Sequence, residues 1–113
     1  MPMISLTTSA EITSESAERL KAGFGQAISL LPGKSEAWLM VSLKGDTAMY
    51  FQGAKRDAAF VDVSCYGSGR PEAYGKLTGA VCDLLQTELG LDPANVYVKY
   101  SETPNWGWNG GNF

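Results

Sequence analysis

Pro2-Met3-Ile4-Ser5-Leu6-Thr7-Thr8 alternates aliphatic Ile4 and Leu6 with Met3, Ser5 and Thr7, the period of a strand with two different faces. Proline is tolerated at the first position of a strand because it forgoes only one ladder bond. Aminopeptidases remove an initiator Met that precedes a small residue, and Pro2 qualifies. The mature chain is then expected to begin with the secondary amine of Pro2. If this strand is buried in a sheet, the amine is fixed and partly dehydrated. Dehydration disfavours the charged form and draws the pKa toward neutral. A neutral amine at pH 7 can serve as a general base.

The next element is predicted to be a helix that starts near Thr13 or Ser14, after a polar run rich in capping residues. Ala17, Leu20, Phe24, Ala27, Ile28 and Leu31 form its apolar stripe, and Pro32-Gly33 ends it. Gly23 and Gly25 each cost about 1 kcal/mol inside a helix, so packing has to support them. A second strand is expected over Ala37–Leu43, with Ala37, Leu39, Val41 and Leu43 on one face and Trp38 and Met40 on the other. Ala48–Phe51 is a short segment, and Gln52–Asp57 reads as a polar loop. The third main strand is Ala58–Tyr66, with Ala59, Val61, Val63 and Cys65 on one face. Pro71 suits the first turn of a second helix. Tyr74, Leu77, Val81, Leu84 and Leu85 make its stripe and Gly90 stops it. Val96–Tyr100 is the fourth main strand, followed by a tail rich in Asn, Gly and Trp.

Strand, helix, strand, hairpin, then strand, helix, strand, tail is a tandem βαβ repeat. The expected fold class is α+β: a single domain over residues 1–113 with a four-stranded mixed sheet and two helices on one face. Trp38, Met40 and Tyr97 are left for the other face, and an uncovered apolar face implies a partner surface, most simply further copies of the chain.

A chain of 113 residues, 44% hydrophobic and 19% charged, suits one globular domain. Its net charge of −3 supplies no basic field for nucleic acid or an anionic membrane. No apolar run reaches transmembrane length, and no signal peptide is recognised, so a cytoplasmic location is expected. The absence of His removes Ser-His and Cys-His nucleophile pairs and His metal sites. Cys65 and Cys82 form no CxxC pair and read as small buried apolar residues.

Pro2 in a buried first strand, Gly33-Lys34 after the first helix, Val96-Tyr97 in the last strand and Asn105-Trp106-Gly107-Trp108-Asn109 before Phe113 form a set. In order and spacing it resembles the macrophage migration inhibitory factor family of the tautomerase superfamily, over the whole chain. The resemblance implies a homotrimer with active sites between subunits. It implies cofactor-independent, metal-free keto–enol tautomerisation of small aromatic 2-keto acids such as phenylpyruvate. Pro2 then matches the catalytic base and Lys34 the cation at the substrate's carboxylate or oxyanion. Tyr66 stands where the family commonly has Ile and contributes its backbone N–H. Tyr97 matches the Tyr that reaches in from the adjacent subunit, Trp38 stands where Tyr is frequent, and Trp106, Trp108 and Phe113 match the hydrophobic wall. Lys99 replaces Asn and would add a positive charge if it points into the pocket. Trp106 replaces a smaller aliphatic residue and would narrow it. Ala58 and Val61 stand in place of a CxxC pair, which removes support for a thiol oxidoreductase activity.

Simpler roles stay open for some of these residues. Lys34 could interact with the end of the first helix, where a cation is favourable, and Tyr97 could be interface packing. Two other functions fit the same resemblance: a signalling or receptor-binding protein with incidental activity, exported without a leader, and a different reaction on the same base, such as decarboxylation. The second usually relies on extra Arg or Glu near the pocket, and Arg19, Arg56 and Arg70 hold no motif position.

Overall fold

In the computed structural model, which describes residues Met1–Phe113, the first strand is an inner strand. β1 (Pro2–Thr8) lies between β2 (Met40–Lys44) and β5 (Ala59–Tyr66), and β6 (Val96–Thr103) closes the order β2-β1-β5-β6. β1 runs parallel to β2, with Met3 beside Met40, and antiparallel to β5, with Pro2 beside Cys65. β5 and β6 are parallel, from Ala59 beside Val96 to Tyr66 beside Thr103. Two short hairpins complete the chain: β3 (Tyr50–Phe51) with β4 (Ala54–Lys55), and β7 (Gly107–Trp108) with β8 (Gly111–Asn112).

The alternation fixes which face is covered. Ile4 and Leu6 of β1 and Val61 and Val63 of β5 share one buried cluster with Leu20, Phe24 and Ile28, and with Leu77, Val81 and Leu85. The last six lie on or just after α1 (Ser14–Ala27) and on α2 (Pro71–Leu89), so both helices pack on the same side of the sheet. A reciprocal cap starts α1: the Ser16 N–H donates to Thr13 Oγ1 at 3.1 Å, and the Thr13 N–H donates to Ser16 Oγ at 2.8 Å. The two helical glycines are explained by their neighbours. Leu84 of α2 fills the space a side chain would take at Gly23, and Glu36 does so at Gly25.

Several boundaries differ from expectation. The first helix is α-helical only to Ala27, and Ile28–Leu30 finish it as a 3₁₀ turn. The second strand begins at Met40, not Ala37. Glu36–Trp38 form a 3₁₀ turn because Glu36 packs onto α1 at Gly25 and bends the chain there. The expected loop Gln52–Asp57 contains β4. The last strand continues past Tyr100 to Thr103. On α2, Ala73 takes a buried position while Tyr74 and Leu84 are half-buried. The open face is less apolar than expected. Met40 and Met3 share one rung and Phe60 and Tyr97 another, but the rung between them reads Ser42, Ser5, Asp62 and Lys99. No helix is long and apolar enough to cross a membrane.

Phe24 is fully buried beneath the sheet. Phe24→Ala is expected to cost about 3–5 kcal/mol, against about 1 kcal/mol for loss of the cap in Thr13→Ala. Urea unfolding of both variants checks this. Equal losses would mean that the α1 stripe is not the principal packing surface of the helix.

Candidate active site

The N-terminus is held because β1 pairs along both edges. Pro2 is fully buried, with Cys65 beside it on β5 and Glu102 next in the same row on β6. The Tyr66 N–H donates to the Met1 carbonyl at 3.0 Å. Lys34 comes from the turn after the 3₁₀ end of the first helix, and its Nζ donates to the Tyr66 carbonyl at 2.9 Å. One residue, Tyr66, therefore contacts the terminal residue through its N–H and Lys34 through its C=O. Burial, with the Lys34 ammonium second, holds the Met1 amine below its ordinary value of 8.0. Burial pushes the Cys65 thiol up, so this neighbour stays neutral.

A cleft of about 800 Å³ opens beside the terminus, lined by Pro2, Met3, Trp38, Met40, Trp106 and Trp108 among others. Trp38 and Trp108 meet edge to face at 5.1 Å between centroids. Phe113 stacks on Trp108 at 6.3 Å and lies 5.5 Å from the Tyr66 ring. The Phe113 N–H donates to the Trp106 carbonyl at 3.0 Å, which closes the tail hairpin over this wall. Lys34 also lines a separate cavity of about 90 Å³ with Cys65, Ser68, Arg70 and Tyr74.

Seven of the nine residues singled out in the sequence thus surround the N-terminus: Pro2, Lys34, Tyr66, Trp38, Trp106, Trp108 and Phe113. Tyr97 and Lys99 do not reach it within one chain. Tyr97 is level with Thr7, about 17 Å along β1 from Pro2 at strand rise. It is exposed and packs edge to face on Phe51 at 5.1 Å. Lys99 points to the open sheet face, where its Nζ lies 3.5 Å from Asp62 Oδ2 and 5.9 Å from the centre of the Phe60 ring. Within the chain its charge is paired. The sequence did not single out Glu102, because the last strand reads as ending at Tyr100. The parity Tyr100–Glu102 was the signal that places it in the row of Pro2. No group of three or more Cys, Asp or Glu is arranged to hold a metal ion.

A terminal strand immobilised inside a mixed sheet, a lysine on the peptide beside it and an aromatic tail hairpin together define the site. The family model for macrophage migration inhibitory factor (MIF) matches residues 1–113. The chain belongs to this family. Among solved structures, Leishmania major MIF2 superposes with a TM-score of 0.93 at 29% identity, over 100% of this chain and 97% of that one. The MIF-like protein of Entamoeba histolytica gives 0.88 at 25% identity, over 99% and 98%. The Prochlorococcus marinus homologue gives 0.88 at 25%, over 98% of each. A search of curated proteins returns no match.

The amine supplies a test of this electrostatic environment. In protein that carries Met1, the amine is expected to titrate below 8.0, and Lys34→Ala should raise it partway, since burial is the larger cause. The unfolded chain binds this proton more tightly than the folded one. Stability should therefore fall as pH drops through the window below 8.0 and be regained above it. Carbon-13 shifts of labelled Met1 report the titration. A Lys34→Ala amine that titrates lower than wild type would contradict the assignment.

Proposed function

We propose that the chain is a keto–enol tautomerase of small aromatic 2-keto acids of the phenylpyruvate type, with the amine of Pro2 as general base after loss of Met1. The observation that carries this reading is the pair of bonds at Tyr66, N–H to the Met1 carbonyl at 3.0 Å and C=O to Lys34 Nζ at 2.9 Å. Removing Met1 turns the Pro2 nitrogen into a secondary amine at a site where burial and Lys34 already depress an amine. The same step frees the Tyr66 N–H, which pointed at the departing carbonyl.

In the keto-to-enol direction, neutral Pro2 takes a proton from C3 of the substrate. The C3–H electron pair becomes the C2–C3 double bond and the C2 carbonyl becomes an enolate. Lys34 and the Tyr66 N–H stabilise the oxygen as its charge grows. Protonation of that oxygen gives the enol, and loss of the Pro2 proton resets the base. Ketonisation reverses these steps. Trp38, Trp106, Trp108 and Phe113 exclude water and hold the aromatic ring. The reaction is redox-neutral, so the proposal uses no cofactor.

The proposal includes a homotrimer with sites between subunits. The open sheet face, with Met3, Met40, Phe60 and Tyr97 on it, supports this reading, as does the distance between Tyr97 and its own Pro2. Tyr97 and Lys99 would then serve a neighbouring site. We place the protein in the cytoplasm on the same reading.

Purified Met-free protein, verified by mass, is expected to ketonise phenylpyruvate, and Pro2→Gly to lower kcat/KM by about 10²–10⁴-fold, the range of a positioned acid–base group. Protein that retains Met1 should show a similar loss. No turnover by verified Met-free trimer would exclude phenylpyruvate as a substrate, and equal turnover by Pro2→Gly would exclude the amine as base.

A further inference from the structure

The peptide joining Tyr66 to Gly67 has both of its polar groups occupied. Its C=O accepts from Lys34 Nζ at 2.9 Å, and its N–H, that of Gly67, donates to the Thr103 carbonyl at 2.9 Å. The orientation of this peptide therefore sets the position of the Lys34 ammonium. Beyond it the chain turns sharply, with Gly67 at φ 84°, and crosses Ser68 and Gly69 to the start of α2. These residues are exposed.

What holds them is a carboxylate from β6. Glu102 Oε2 accepts from the Gly69 N–H at 2.6 Å and from the Tyr74 hydroxyl at 2.6 Å. Tyr74 is itself fixed. Its ring stacks on Tyr100 at 4.4 Å, and the Tyr100 hydroxyl donates to the Tyr74 carbonyl at 3.0 Å and meets Thr78 Oγ1 at 2.7 Å. Glu102 thus ties the loop after β5 to the first turn of α2 and to the end of β6. The neighbouring residue, Thr103, holds the Gly67 N–H and turns the chain into the tail hairpin through Asn105. Ionisation of Glu102 strengthens both of its bonds, and those donors in turn keep its carboxyl below the usual carboxylate range.

We propose that Glu102 and Tyr74 form a clamp that fixes the Gly67–Arg70 loop and thereby positions Lys34 for the carboxylate or enolate of the substrate. Neither residue touches the substrate; they are positioning residues. The effect on turnover rests on the tautomerase reading above, while the effect on the loop does not.

The experiment compares wild type, Glu102→Ala, Glu102→Gln and Tyr74→Phe, each alone and with Lys34→Ala. It measures steady-state kinetics on phenylpyruvate and on its methyl ester, and amide hydrogen exchange at residues 68–70. Glu102→Ala is expected to raise KM for phenylpyruvate about tenfold with a smaller change in kcat. It should leave KM for the uncharged ester unchanged, lower kcat on acid and ester alike to the extent that Lys34 serves the enolate, and speed exchange in the loop. Glu102→Gln keeps an acceptor oxygen and should restore most of the affinity, whereas a purely electrostatic role of Glu102 would make it resemble Glu102→Ala. In the Lys34→Ala background the Glu102 substitution should add nothing. A rise in KM as large on the ester as on the acid, full additivity with Lys34→Ala, or unchanged loop exchange would each overturn the clamp. A wild type inactive on phenylpyruvate whose loop exchange still quickens in Glu102→Ala would refute the substrate and keep the clamp. Normal turnover with unchanged exchange would do the reverse.

Discussion

The placement of β1 between β2 and β5 is the constraint on which the rest depends. A chain terminus ordinarily frays because one edge or both lack partners. Here Pro2 pairs with Cys65, and Met3 is flanked by Met40 and Ser64, so backbone pairing on both sides fixes the terminus. Burial of Ile4 and Leu6 against α1 and α2 fixes its register as well, since a slip of one residue would turn both onto the open face. A rigid terminus lets a single amine keep a stable geometry toward Lys34 and Tyr66. The cleft of tryptophans would lose one of its walls if the first residues moved.

The main chain outside the strands then does most of the positioning. Tyr66 uses N–H and C=O in different directions, and Gly67 directs the chain toward α2 without disturbing either bond. The aromatic wall is assembled from three separate places: the turn after the first helix, the tail hairpin and the last residue. The contacts Trp38–Trp108 and Trp108–Phe113 make these segments support one another, which compensates for how little regular structure they contain.

Much of the fold was legible because burial imposes a period. Ala59, Val61, Val63 and Cys65 alternate without exception, and all four are buried. The helical stripe Leu20–Phe24–Ile28–Leu31 was equally direct. The bend at Glu36–Trp38 was not, because Ala37-Trp38-Leu39-Met40 continues a plausible alternation and only the docking of Glu36 on Gly25 interrupts it. For the site, Pro2, Lys34 and the tryptophans stood out through a family resemblance that the family model bears out. The charge pairing of Lys99 needed the register that sets it beside Asp62. Glu102 was hidden for a similar reason: its partners Gly69 and Tyr74 lie about thirty residues earlier, and a lone Glu after a strand looks like any solvated charge.

The sequence distance between β1 and β5 also sets an order of events during synthesis. Pro2 leaves the ribosome directly behind Met1, but its partner Cys65 is made more than sixty residues later. At about 5–20 residues per second, the N-terminus waits on the order of 3–13 seconds before that edge can close. During this interval the Met1–Pro2 bond is flexible and open to an aminopeptidase. After it, Pro2 is buried and the Met1 carbonyl is bonded to Tyr66, so cleavage would require breaking that bond. On the proposal that Met1 is removed, translation speed and peptidase supply would then set the fraction of chains that carries a free proline.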